Sequence, residues 1–260
     1  MEITLRDRRA LVTGANSGLG AAIAAALARA GARVAVNFVT DPAAADQVVG
    51  AIRAAGGTAV PIQADVSDAG QVAAMFRAVD EAFGGLDVLV NNAGVDGPRA
   101  PTWEADPAAW ERVLKVDLFG AFLCAREAAR RMVAQRRGVI VNLTSVHEKI
   151  PWGGYGAYAA AKAGLSMLTK TLAQEAAPHG VRVVALAPGA IRTPINRAVW
   201  EDPAAMQDLL EKIPLGRIGE PEEVARVAAF LASDAASYLT GSTVFVDGAM
   251  TDYPDFAHGG

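Results

Sequence analysis

The stretch Ala10-Leu11-Val12-Thr13-Gly14-Ala15-Asn16-Ser17-Gly18-Leu19-Gly20 reads as a short apolar strand running into a glycine-rich turn and then into a helix near residues 18–30. Glycines at this spacing let the backbone turn sharply and leave the N–H groups of a helix N-terminus facing outward, which suits the pyrophosphate of a dinucleotide. The spacing is Gly-x-x-x-Gly-x-Gly, not the commoner Gly-x-Gly-x-x-Gly. Alone, such a cluster is also an ordinary strand-to-helix turn. The rest of the chain gives it context. Apolar runs of strand length recur at Ala10–Thr13, Val34–Phe38, Ala59–Ile62, Leu86–Val90, Val139–Leu143, Val181–Leu186 and Thr243–Val246. Between them lie alanine-rich segments near 18–30, 42–55, 69–83, 107–135, 156–177 and 221–233, several opened by Asp41-Pro42, Asp106-Pro107 or Glu220-Pro221, which are helix-start signals. This alternation implies right-handed βαβ crossovers, hence a doubly wound α/β fold with a seven-stranded parallel sheet and helices on both faces. No linker or repeat interrupts residues 1–260, so one domain is expected. The stretch Pro194–Pro214 breaks the rhythm, and a lid over about residues 190–215 is expected there.

The 260 residues are 52% hydrophobic and 20% charged with a formal net charge of −4, enough for a core without disulfide or metal support. Cys124 is the sole cysteine; its neighbours Phe122, Leu123 and Ala125 mark a buried hydrophobe. His147, His179 and His258 are too scattered for a metal site. The basic pairs Arg130-Arg131 and Arg136-Arg137 alternate with apolar residues along a helix, which argues against a nucleic-acid partner. The charged start Met1–Arg9 resembles no signal peptide and no run approaches a membrane span, so the expected location is the cytoplasm, with the mature chain starting near Met1.

Chemistry concentrates at strand ends. In a doubly wound sheet ligands sit at the carboxyl ends of strands, so Asn91, Asn92, Ala93 and Gly94 are expected beside the glycine turn. Asp65 and Val66, after the third strand, would hold and cover an adenine; Asp65 could instead cap the next helix. Tyr158 and Lys162 stand four apart on a helix and share a face. A phenol ionises near pH ~10, so acid–base work near neutrality asks for about 4 kcal/mol of electrostatic help. Lys162 supplies part of it, and a positively charged oxidised nicotinamide would supply more. A Tyr-x-x-x-Lys pair by itself is also compatible with a solvated helix surface.

Together, the turn at 14–20, Asn91-Asn92-Ala93-Gly94, Ser145, Tyr158-x-x-x-Lys162 and Pro188-Gly189 resemble the short-chain dehydrogenase/reductase family over essentially the whole chain. Ser145–Trp152, Ile191–Asn196, Gly219–Glu223 and Met250–Phe256 further resemble its glucose 1-dehydrogenase subfamily. The resemblance implies a Rossmann-type sheet and hydride transfer between NAD or NADP and an alcohol, sugar or ketone. It makes Tyr158 the proton donor and acceptor, Ser145 the residue that polarises the substrate oxygen, and Lys162 the residue that holds the ribose and lowers the Tyr158 pKa. Gly14, Asn16, Ser17, Gly18, Leu19, Gly20, Asn37, Phe38, Val39, Asp65, Val66, Asn92, Ala93, Gly94, Pro188, Gly189, Ile191 and Thr193 would contact the cofactor. Asp117 stands where the family usually has a catalytic Asn, so a tuned relay is expected, with an inactive enzyme as the alternative. No Arg or Lys occupies Ser17 or Val39, where members preferring a 2′-phosphate often carry one, and Phe38 replaces the Asp of members preferring a free ribose. The balance leans to NAD.

Asp96, His147, Trp152, Tyr155 and Asn196 are expected to line the substrate pocket with Ser145, a mixture of polar groups and aromatic faces that suits a sugar such as glucose. His147 is a candidate hydrogen-bond donor, or else structural. Glu148 and Lys149 read as a solvated charge pair. Two alternatives stand: a carbonyl reductase, including one for acyl-carrier substrates served by Arg192 and Arg197, and a redox sensor that binds cofactor without turnover. The resemblance also implies a homotetramer paired through the helices near 107–135 and 156–177, with Ala157, Ala159, Ala160, Ala161 and Ala163 allowing close approach and the tail from Tyr253 to Gly260 reaching a neighbour.

Overall fold

Seven strands form one parallel sheet in the order β3-β2-β1-β4-β5-β6-β7, with β1 Arg9–Val12, β2 Arg33–Phe38, β3 Thr58–Gln63, β4 Val88–Asn91, β5 Gly138–Leu143, β6 Val181–Pro188 and β7 Thr243–Val246. The structure is a computed structural model that describes residues 3–252, apart from the side chains of Ile195 and Ala198. The Tyr253–Gly260 tail, expected to reach a neighbour, lies outside the described residues.

Central strands are apolar on both faces because helices cover both. On one side α1 (Gly18–Arg29) and α9 (Pro221–Ala232) pack Ile23, Leu27, Val224 and Leu231 against Val12, Val34 and Val141. On the other, α3 (Ala69–Phe83) and α5 (Ala121–Gln135) pack Phe76, Leu123 and Met132 against Leu11, Leu89 and Ile140. Parallel strands enclosed in this way must read as unbroken apolar runs. The helix starts obey their chemistry: Asp41 accepts from the Ala44 N–H at 2.9 Å ahead of α2 (Pro42–Ala54), and Asp106 from the Ala109 N–H at 2.8 Å ahead of α4 (Pro107–Leu114).

The helix expected over 107–135 is not continuous. A π-helical turn over Lys115–Gly120 separates α4 from α5. Such a turn widens the backbone by one residue, and Asp117 sits on it. The expected lid contains two short helices, α7 (Arg197–Trp200) and α8 (Pro203–Leu210). α6 (Gly156–Ala176) carries Tyr158 and Lys162 past the carboxyl end of β5. Cys124 is fully buried, and burial pushes its thiol up to about 12, leaving it an inert hydrophobe.

Candidate active site

β1 delivers the chain into a turn in which Gly14 and Gly18 adopt φ of +59° and +52°, values that favour glycine. The turn is riveted to β4. Thr13 Oγ1 accepts the N–H groups of Asn92 and Ala93 at 3.0 and 3.1 Å, and Asn92 Nδ2 donates to the carbonyls of Thr13 and Gly14, both at 2.9 Å. A Cβ on Gly20 would fall 2.4 Å from the Gly14 oxygen and 2.5 Å from Asn92 Nδ2, so only glycine lets helix, turn and strand meet this closely. Ser17 precedes α1 without capping it. Among the described residues nothing pairs with its hydroxyl or with the N–H groups of Gly18, Leu19 and Gly20, which suit an anion. The cradle therefore fits a dinucleotide pyrophosphate.

Several residues expected at the cofactor prove to brace it. Asn37 is fully buried; its Oδ1 accepts the Gly14 N–H at 3.1 Å while Nδ2 donates to the Ile62 and Ala64 carbonyls at 3.2 and 3.0 Å, leaving nothing for a ribose. Asn91 faces the interior and donates to Asn142 Oδ1 at 2.9 Å. Val66 is already buried among Val116 and Leu123 rather than open to a base. Asp65 does not cap α3, since Asp68 does so by accepting the Gln71 N–H. Burial would raise the Asp65 pKa, but Ser67, which donates both its N–H and its hydroxyl, and Arg112 outweigh burial and lower it. Val39 is exposed at the end of β2, Phe38 is buried, and Asn16 Nδ2 donates to the Thr40 carbonyl at 3.3 Å.

A candidate catalytic cluster forms where β4, β5, the π-helical turn and α6 converge. Lys162 is buried, donates to the Leu143 carbonyl at 3.2 Å, and stands 3.2 Å from Asp117 Oδ2. Asp117 Oδ1 accepts the Val95 N–H at 2.8 Å. Lys162 Nζ lies 5.3 Å from the centre of the Tyr158 ring. Burial works against the Lys162 charge, yet Asp117 foremost, with Tyr158 and Asp96, outweighs it and raises the pKa. Burial raises the Asp117 pKa against the pull of Lys162 and the Val95 N–H. For Tyr158 too, burial wins: Lys162 and a hydrogen bond with Ser145 pull the phenol pKa down only in part, while Asp96 and Asp117 push it up. The expected fall in the Tyr158 pKa is thus absent from the protein alone.

Around Tyr158 the aromatic groups stack. His147 lies on Trp152 at 4.4 Å between ring centres, Trp152 lies on Tyr155 at 4.0 Å, and Trp152 meets Tyr158 edge-on at 5.8 Å. His147 Nδ1 is 3.2 Å from the Ile150 carbonyl. A carbonyl only accepts, so Nδ1 carries the proton. Burial lowers the His147 pKa despite that bond, and the neutral ring presents Nε2 as an acceptor, not as the expected donor. Asp96 lines a small cavity with Trp110, Tyr155 and Ala157; burial first, then Asp117, raises its pKa.

Two further expectations fail. Asn196 is consumed within the lid: Oδ1 accepts the N–H and hydroxyl of Thr193, each at 3.1 Å, and Nδ2 donates to the Ile191 carbonyl at 2.8 Å. Glu148 is no solvated partner of Lys149. It accepts the Ser166 and Thr243 hydroxyls at 2.9 and 3.0 Å, while Lys149 lies over the Phe245 ring. Pro188 and Gly189 end β6, and Gly189 donates to the Val246 carbonyl at 3.0 Å.

A phenol placed to pass a proton, beside a cradle for a dinucleotide, is the equipment of an NAD(P)-dependent oxidoreductase acting on CH–OH groups. The family described as Enoyl-(Acyl carrier protein) reductase matches residues 14–251. 3beta-hydroxysteroid dehydrogenase 1 of Eggerthella lenta is 48% identical over 98% of both chains. Glucose 1-dehydrogenase 2 of Bacillus subtilis is 42% identical over 96% of this chain and 97% of its own. The structure of a gluconate 5-dehydrogenase from Burkholderia cenocepacia in complex with NADP and tartrate superposes with a TM-score of 0.91 at 37% identity, covering 96% of this chain and 98% of its own. The chain belongs to the short-chain dehydrogenase/reductase family.

Proposed function

We propose that the protein is a dehydrogenase of neutral cyclic alcohols, a sugar such as glucose foremost, with Tyr158, Ser145 and Lys162 as its catalytic residues and Asp117 as the partner of Lys162. The convergence of these four groups beside the glycine turn carries this reading. When bound, the nicotinamide accepts or supplies hydride. Gly14, Ser17, Gly18, Leu19 and Gly20 would hold its pyrophosphate, Asn16 and Val39 would flank the adenosine side, Lys162 the nicotinamide ribose, and Pro188, Gly189, Ile191 and Thr193 the nicotinamide itself. The chain handles the proton. In reduction Tyr158 gives its proton to the carbonyl oxygen; in oxidation its phenolate removes the alcohol proton. The Ser145 oxygen accepts the His147 N–H at 3.2 Å, so its own O–H can turn toward the substrate. Two hydroxyl donors then meet the oxygen on which negative charge develops.

The stacked rings of His147, Trp152 and Tyr155 form an aromatic column beside Tyr158, and Asp96 and His147 Nε2 offer acceptors to substrate hydroxyls, as a sugar would use. A second reading, an alicyclic or steroid alcohol, is favoured by the apolar cluster beneath the lid, where Trp200, Met206, Leu209 and Leu210 pack with Val146 and Ile150. The acyl-carrier reading weakens, because Arg192 pairs with Glu220 at 3.1 Å and Arg197 with Glu201 at 2.6 Å. The sensor reading weakens because the proton-transfer groups are assembled.

NAD is favoured over NADP, since neither Ser17 nor Val39 offers a cation to a 2′-phosphate. No carboxylate at Phe38 repels one either, so the preference should be modest, in keeping with the NADP-bound relative. Homotetramer formation through α5 and α6 is supported by apolar exposure at Phe119 (48%), Phe122 (38%) and Met167 (60%) and by the exposed Ala160 and Ala163, whereas Ala157 and Ala161 are buried within the subunit. No helix among the described residues is long and apolar enough to cross a membrane, and the proposed location is the cytoplasm.

The test is the initial rate at 340 nm with glucose, cyclohexanol and a 3-hydroxysteroid, each with NAD and NADP, against Tyr158→Phe. Turnover of a cyclic alcohol that vanishes in the variant supports the reading. Reduction of simple ketones alone would move the assignment to a general carbonyl reductase.

A further inference from the structure

In the oxidoreductase reading, on which this inference rests, Lys162 serves Tyr158 by placing positive charge beside the phenol. The structure places a carboxylate on that same charge. Asp117 is buried on the π-helical turn, fixed by the Val95 N–H at Oδ1, and its Oδ2 has Lys162 Nζ at 3.2 Å as its sole protein partner among the described residues. Gly94 protects the contact. A Cβ there would fall 2.8 Å from Asp117 Oδ2 and 3.4 Å from Lys162 Nζ, and any side chain would wedge into the pair. An asparagine at 117 could accept the same Val95 N–H without bringing a charge.

Tyr158 is faced by Lys162 from its own helix, by Ser145 from the end of β5, by Asp96 from the loop after β4, by Asp117 from the π-helical turn, and by the rings of His147 and Trp152. Tyr155 stands one ring further away, behind Trp152. This is one cation against two carboxylates. We propose that Asp117 is a positioning residue that cancels the Lys162 charge as Tyr158 experiences it, so that the phenol is held protonated at neutral pH and alcohol oxidation, which needs the phenolate, quickens as the pH rises. Burial and both carboxylates acting on Tyr158 in the same sense agree with this.

The experiment is a pH titration of the cofactor-free protein labelled with [¹³Cζ]tyrosine, followed by NMR in the wild type and in Asp117→Asn, with Tyr158→Phe assigning the resonance. Asp117→Asn should raise the ionisation constant of Tyr158 about tenfold, one pH unit on the titration curve. Asp117→Glu, which restores the charge, should return the midpoint toward the wild type. If the amide variant does not fold, the smaller neutral Asp117→Ser gives the same comparison. In turnover, reduction by the wild type should be flat between pH ~6 and ~8, and oxidation at pH ~7 should rise about tenfold in Asp117→Asn. An unchanged Tyr158 midpoint, or one that moves to higher pH because Lys162 has lost its proton, overturns the proposal. Absence of turnover in every variant would count against the oxidoreductase reading, while the titration would still decide the role of Asp117.

Discussion

Replacing Gly20 with alanine should damage the cofactor cradle even though alanine is the better helix former. At an open helical position the exchange stabilises by about 1 kcal/mol. Gly50 in α2 is such a position, with nothing within 4 Å of an added Cβ. At Gly20 the same methyl would meet the Gly14 oxygen at 2.4 Å, Asn92 Nδ2 at 2.5 Å and the Ala15 Cα at 2.9 Å. Two of these contacts are backbone and cannot rotate away. Overpacking costs about 1–3 kcal/mol, and losing the Asn92–Gly14 hydrogen bond about 1 kcal/mol more. After the helix-propensity gain, the net loss is about 1–3 kcal/mol, a fall in Tm of roughly 2–12 °C for a domain of this size. The larger effect should be on binding, because the turn must open to admit the methyl. Calorimetric titration with NADH should show at least about a tenfold weaker Kd in Gly20→Ala, and an unchanged Kd with a raised Tm in Gly50→Ala. A Gly20→Ala protein that binds NADH as the wild type does would refute the close-approach argument.

Asp87 is buried and accepts from Arg9 Nε at 2.7 Å and Arg137 Nη2 at 2.7 Å, so Asp87→Ala should cost about 3–5 kcal/mol in denaturant unfolding. Burial would raise its pKa, but the bonds from Arg9 and Arg137 lower it overall; its contribution is therefore complete above pH ~4 and should be lost as pH falls through the lower folded-state value, flattening the acid limb of the Tm curve in Asp87→Asn. His147 should show the Nδ1–H tautomer in ¹⁵N-resolved spectra across neutral pH, with Nε2 unprotonated, because the Ile150 carbonyl holds the proton and burial lowers the pKa. Cys124 should resist a thiol reagent in the folded protein and react on unfolding, since burial holds the thiol up to about 12.

The sheet was legible because burial on both faces leaves a simple mark: Val34–Phe38 and Val139–Leu143 are apolar runs broken only by Asn37 and Asn142, and the observed strands extend them by one residue. Helix starts were legible at Asp41-Pro42 and Asp106-Pro107, but the same signal at Asp202-Pro203, which opens α8, was passed over inside the expected lid. The π-helical turn at Lys115–Gly120 was not, because widening one turn leaves the apolar pattern of 107–135 nearly unchanged. The Tyr158–Lys162 pair followed from helical spacing, but its electrostatics did not, since they depend on Asp96 and Asp117 arriving from other elements. Asparagines at strand ends and in the lid were the main source of error. Asn37, Asn91 and Asn196 look like ligand contacts in sequence, yet each satisfies a protein group nearby. Asn37 could have been recognised, since it lies inside an apolar strand between Val36 and Phe38. Glu148 could not, because Thr243 lies 95 residues away along the chain.

In the proposed reaction hydride passes directly between substrate carbon and nicotinamide while Tyr158 handles the proton. Its most direct test uses the best alcohol of the substrate panel, deuterated at the carbinol carbon, with mass analysis of the cofactor after a single turnover. The account predicts one deuterium in the reduced cofactor from the wild type, and a Tyr158→Phe protein that binds cofactor normally yet transfers label at least about a hundredfold more slowly. Loss of the label to solvent, or transfer by Tyr158→Phe at the wild-type rate, would contradict it.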